Sequence, residues 1–281
     1  MIYFKKILFF FIYSNFFIAG CAVAMVNQTD KLILQTRSNN YFLLFVLFST
    51  ICSYSFHWFL TSESVIQSPR IAWVKKNRNV HLILFIVGIA GSGILFFELL
   101  PYWHWLFFSA FITFLYSAPK IPHPLFRALR KVALGKTIFL ALVWTNVTTV
   151  LPIIISGQNW SNEFTLFIIH RFFLIYAICI LFDYRDREDD KIAGIYSLIT
   201  FMNKRDVFKI FALSLVFFAA STLMLYSYNY SILSIFILLM PGIIVAAVYN
   251  YALKNFTDIF YYGILDGLMA FSAFVMLITG I

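Results

Sequence analysis

Long apolar runs separated by short polar clusters dominate this chain. A helix needs about 20 apolar residues to cross the hydrocarbon of a bilayer. Nine stretches approach that length: residues 7–25, 41–60, 82–100, 104–118, 137–155, 165–182, 207–226, 232–249 and 259–280. The third and fourth are parted only by Pro101 and Tyr102, which predicts a tight turn, and the fourth is the shortest. Other breaks fall at Asn39-Asn40, Ser117-Ala118-Pro119 and Gly157-Gln158-Asn159, residue types that suit turns. The pattern predicts an all-α, polytopic membrane helix bundle of about nine transmembrane helices. No repeat interrupts it, so residues 1–281 read as a single transmembrane domain.

Charge gives that bundle a direction. With a cytoplasmic N-terminus, Lys5 and Lys6, the loops after the second, fourth and sixth spans, and Lys254 after the eighth place 18 of the 21 Lys and Arg residues on the cytoplasmic side. Lys31, Arg37 and Arg171 fall to the other side. This asymmetry follows the positive-inside rule. The net charge of +9 therefore needs no nucleic-acid partner. Composition agrees: the chain is 62% hydrophobic and 12% charged, against roughly 25% charged in a soluble domain. The expected location is a bacterial cytoplasmic (inner) membrane, with membrane lipid as solvent. Ile18-Ala19-Gly20-Cys21 after Lys5-Lys6 resembles a lipoprotein cleavage box, but it reads more simply as part of a first span. Cys21, Cys52 and Cys179 lie in apolar runs without metal-ligand spacing.

One segment concentrates chemistry. Residues 181–194 follow directly on the sixth span and hold five of the twelve acidic residues. If the helix continues, Asp183, Asp186 and Asp190 stand at i, i+3 and i+7, within an arc of roughly 60° at 3.6 residues per turn. Like charges at this spacing cost a few tenths of a kcal/mol per pair. A divalent cation would offset that, and Mg²⁺ takes one or two carboxylates together with waters and phosphate oxygens. The alternative is a solvated helix end, with Arg185, Arg187 and Lys191 pairing the acids.

The pattern Asp183-x-x-Asp186-x-x-x-Asp190-x-x-Ala193-Gly194 resembles the second aspartate-rich motif of the UbiA superfamily of intramembrane prenyltransferases. Tyr116-Ser117-Ala118-Pro119-Lys120 is similar to that family's Tyr-Ser-x-Pro segment with a following basic residue. The resemblance implies a prenyl diphosphate with its tail inside the bundle and a lipophilic acceptor, aromatic or other. It implies Mg²⁺ held by Asp183, Asp186 and Asp190, which are then the catalytic and metal-binding residues. Lys120, Arg70 and Lys191 become candidate diphosphate cations, and Tyr116 a candidate hydrogen-bond donor.

The family's first motif carries acids spaced by four residues after the second span. Here the matching positions are Ser53, His57 and Thr61, with Glu63 the nearest acid. Hydroxyls and imidazole are poor stand-ins for carboxylates on a hard cation. Three readings follow: an enzyme that replaces one metal cluster by cations such as Arg70, Lys75 and Lys76, an enzyme with another substrate, or a non-catalytic relative that binds a polyprenyl lipid. A transporter is the reading from a different class, but only Pro241-Gly242 breaks a span in the required way. Glu98 and Asp266 also lie within expected spans, where a carboxylate costs roughly 2.5–3.5 kcal/mol.

Overall fold

The computed structural model describes residues 2–61, 68–118, 121, 123, 136–192 and 197–280, with side chains from residue 6 onward. Among these residues every regular element is helical. In chain order they are α1 (Ile2–Tyr13), α2 (Phe16–Gln28), α3 (Asn40–Thr61), α4 (Pro69–Lys76), α5 (Arg78–Glu98) and α6 (Trp103–Ser117). There follow α7 (Lys136–Ser156), α8 (Asn162–Ile192), α9 (Lys204–Tyr228), α10 (Ile232–Ala252), α11 (Phe260–Met269) and α12 (Phe271–Thr279). Six of them, α3, α5, α7, α8, α9 and α10, are long and apolar enough to cross a membrane. The first and last expected spans are each bent, by 63° between α1 and α2 and by 60° between α11 and α12. Counting each bent pair as one span gives eight. The expected fourth span, α6, has 15 residues, which rise about 22 Å, and is not among these six.

The centre of the bundle is α8. Every residue from Leu174 to Leu181 is buried, as expected of a helix that is apolar all round. Its 31 residues rise about 46 Å, so it outruns its own apolar stretch and carries the acidic segment as further helix. By contrast α5 is peripheral, and Ile83, Ile86, Ile94 and Phe97 point outward. It packs on α3 in the most extensive helix pair of the fold. Small residues allow that approach: a Cβ on Gly88 would lie 2.7 Å from Cys52 Cβ and 2.8 Å from its backbone. Gly88→Ala is expected to lose about 1–3 kcal/mol through overpacking, read as a lower unfolding midpoint in detergent. An unchanged midpoint would show that α5 moves away without penalty.

Two polar features shape the interior. Asn15, between α1 and α2, adopts φ 69°, a left-handed conformation that Asn tolerates better than most residues. This bend brings a fully buried amide into the bundle. Arg171 is 1% exposed within α8. It donates to Met25 O at 3.1 Å and Gln28 Oε1 at 2.9 Å, and lies over the Phe167 ring.

Candidate functional site

The unbroken helix α8 keeps Asp183, Asp186 and Asp190 on one stripe. Asp183 and Asp190 are buried, while a third of the Asp186 side chain is exposed. Glu188 turns to solvent and pairs with Arg187 and Lys191, each at 3.1 Å. Lys191, expected to serve the stripe, is therefore held on the exposed surface.

The buried acids meet Lys136 and Thr137 of α7. Lys136 Nζ lies 2.9 Å from Asp190 Oδ2 and 3.6 Å from Asp183 Oδ1. The hydroxyl of Thr137 donates to Asp183 Oδ2. Counting Lys136 among the basic residues of a loop concealed this role. Its signal was a lysine directly heading an apolar helical run.

A second group of cations surrounds Tyr262. Arg185 donates from Nε to Asp186 Oδ1 at 2.7 Å and from Nη2 to Tyr262 Oη at 2.7 Å. The Arg70 guanidinium lies 4.0 Å from the Trp58 ring centre and 3.9 Å from that of Tyr262. Its Nη2 donates to Asn15 Oδ1 at 2.9 Å, so the bend between α1 and α2 supplies an acceptor for it. The backbone N–H of Arg70, in the first turn of α4, donates to Asp258 Oδ2 at 2.7 Å. An acid there suits the positive end of α4. Burial pushes the Arg70 guanidinium pKa down from its ordinary value, while the fields of Asp266 and Asp258 push it up. Asp266 is buried within electrostatic reach of both Arg70 and Arg185. Two buried N–H groups of this cluster, Arg70 Nε and Arg185 Nη1, have no hydrogen-bond partner among the described residues. Arg185 pairs with an acid of the stripe, as the solvated-helix reading expected, whereas Asn15, Asp258 and Tyr262 did not stand out in the sequence because each is an ordinary residue of its own segment.

The first-motif positions lie on the last turns of α3. Ser53 donates to Thr50 O at 3.2 Å, and Thr61 donates to His57 O at 2.7 Å. The His57 ring stacks on Tyr116, centroids 5.4 Å apart, and His57 Nδ1 is 3.3 Å from Ser117 Oγ. Tyr116 lies within electrostatic reach of Lys136, Asp183 and Asp186. His57 and Tyr116 thus join the stripe through α6. Lys120, Glu63, Ala193 and Gly194 lie outside the described residues.

The model of the UbiA prenyltransferase family matches residues 61–260, which includes the whole aspartate stripe. The chain belongs to the UbiA prenyltransferase family. Comparison with curated proteins and with solved structures finds no match. Ser53 and His57 precede the matched segment.

Members of the UbiA family are prenyltransferases, and the residues present fit in part the hard cation that the resemblance leads one to expect. Carboxylate oxygen is the donor type that Mg²⁺ takes, and Asp183 and Asp190 already bracket a cation, the Lys136 ammonium. Among the described residues no three His, Cys, Asp or Glu side chains converge as a closed ligand set. Waters and substrate oxygens would complete the coordination.

Proposed function

We propose that this UbiA-family chain transfers a prenyl group from a prenyl diphosphate to a lipophilic acceptor, with the site at the Asp183–Asp190 end of α8 facing the cytoplasm. The reading is carried by the family match over the aspartate stripe together with the basic cluster beside it. Asp183, Asp186 and Asp190 would hold Mg²⁺, whose contribution when bound is positive charge at the leaving diphosphate. The bond between the allylic carbon and the diphosphate oxygen breaks, and its electron pair leaves with diphosphate. The acceptor's electron pair forms the new bond, and the acceptor releases a proton. Arg70 Nε and Arg185 Nη1 are buried donors in need of acceptors, the condition that an arriving phosphate oxygen would relieve. The apolar wall of the bundle excludes water that would otherwise capture the cationic carbon.

A second reading has its own support. Ser53 and Thr61 bond within α3 and supply no carboxylate opposite the stripe, as in a relative that binds a polyprenyl lipid without turning it over. Purified protein given a panel of prenyl diphosphates distinguishes the two. Release of diphosphate that needs Mg²⁺ and stops on chelation is the expected result. Asp186→Ala is expected to slow it about tenfold, since Asp186 is partly exposed and its loss removes one charge-assisted bond of Arg185. Mg²⁺-dependent binding without release would favour the lipid-binding relative. Absence of any binding by folded protein would count against both.

A further inference from the structure

The position of Lys136 carries a consequence for metal binding. Its ammonium stands between Asp183 and Asp190, the two most buried acids of the stripe, and hydrogen-bonds to Asp190. Beside it on α7, Thr137 is bonded to Asp183. A divalent ion bridging the same two carboxylates would occupy the space of the ammonium and be repelled by its charge. We propose that Lys136 is a positioning residue: a resident cation that holds Asp183 and Asp190 together and competes with the metal for them.

The geometry ties three effects to one side chain. With Lys136 in place, two buried carboxylates are kept close without metal, which their mutual repulsion would otherwise oppose. When a metal enters, the ammonium must leave the pair. The Lys136 side chain is 22% exposed, so its flexible stem has room to turn its charge outward, towards an arriving diphosphate. The chain then holds its metal more weakly than the same carboxylates would alone, and the substrate supplies part of the compensation.

The proposal rests on the Asp183–Asp190 stripe being the metal site, but its test needs no prenyl substrate. Binding of Mn²⁺ alone to purified protein, followed by electron paramagnetic resonance, is compared for wild type, Lys136→Met and Lys136→Arg. Removing a unit charge a few ångströms from a divalent ion in a partly buried site is expected to tighten binding by about tenfold or more. Lys136→Arg, which keeps the charge, is expected to bind like wild type. Adding Asp183→Asn to Lys136→Met is expected to abolish the gain and thereby assign the ion to this pair. Unfolding midpoints verify that each variant is folded, and Lys136→Gln serves if Lys136→Met is not. Equal or weaker Mn²⁺ binding by a folded, uncharged variant overturns the proposal, as does absence of binding in every variant. Tighter binding in protein that releases no diphosphate from any prenyl donor would uphold Lys136 as the competitor while removing the transferase reading.

Discussion

Asp183→Asn is expected to lower Mg²⁺-dependent diphosphate release by about 10²–10³-fold, the range seen when one fixed electrostatic group is removed from a reaction centre. The substitution is nearly isosteric, so the effect is one of charge. Asp183 is 5% exposed, faces Lys136 at 3.6 Å and accepts from Thr137. An asparagine amide can still accept from that hydroxyl, but it cannot share a dication with Asp190. Lys136 would then lean on Asp190 alone. Glu188→Gln is the matched control on the same helix. Glu188 is exposed and, among the described residues, pairs with its surface neighbours Arg187 and Lys191, so the rate should stay within about twofold, since exposed ion pairs contribute little. Steady-state release measured for both variants decides the matter. Equal rates for Asp183→Asn and wild type would place the chemistry elsewhere in the bundle.

The contrast between these two acids was visible in the sequence, because it depends only on helical periodicity. Asp183, Asp186 and Asp190 fall on one side if α8 continues, and α8 does continue. Most spans were legible for a related reason: hydrocarbon forces the backbone to bond within each segment, so length and apolarity locate helices. Contacts between segments were not legible. Nothing in the run from Ile7 to Met25 marks Asn15 as the bend whose amide meets Arg70, since a single Ser-Asn pair looks like chance polarity in an apolar run. Lys136 and Arg185 were read as side-of-membrane charge, which is true of most such residues. Their partners, Asp190 across to α8 and Tyr262 from α11, are distant in sequence.

Arg70→Met is expected to be among the most destabilising single changes outside the transmembrane helices, about 3 kcal/mol or more. Arg70 is 3% exposed and connects four separate segments: Asn15 at the first bend, Trp58 on α3, its own helix α4, and Tyr262 on α11. Methionine fills much of the volume between the two rings but offers no donor to Asn15 Oδ1 and no charge to face Asp266. An unpaired buried amide oxygen alone costs about 1–3 kcal/mol. A guanidinium between two aromatic faces adds about 2 kcal/mol when desolvated. Lysine should not rescue it, because an ammonium lacks the flat, multi-donor face that stacks on Trp58 and Tyr262 while bonding Asn15. Tyr262→Phe separates stacking from hydrogen bonding. It keeps the ring under Arg70 but removes the hydroxyl that accepts from Arg185, so it should lose less stability than Arg70→Met. Unfolding midpoints in one detergent, taken without substrate, rank the three variants. Wild-type stability for Arg70→Met would mean that the cage is not what joins these segments. A large loss for Arg70→Met and Arg70→Lys, with a small one for Tyr262→Phe, would show that the guanidinium itself locks the first bend against α11. That lock fixes Tyr262, and through it Arg185 and Asp186, at the end of the bundle where the diphosphate would bind.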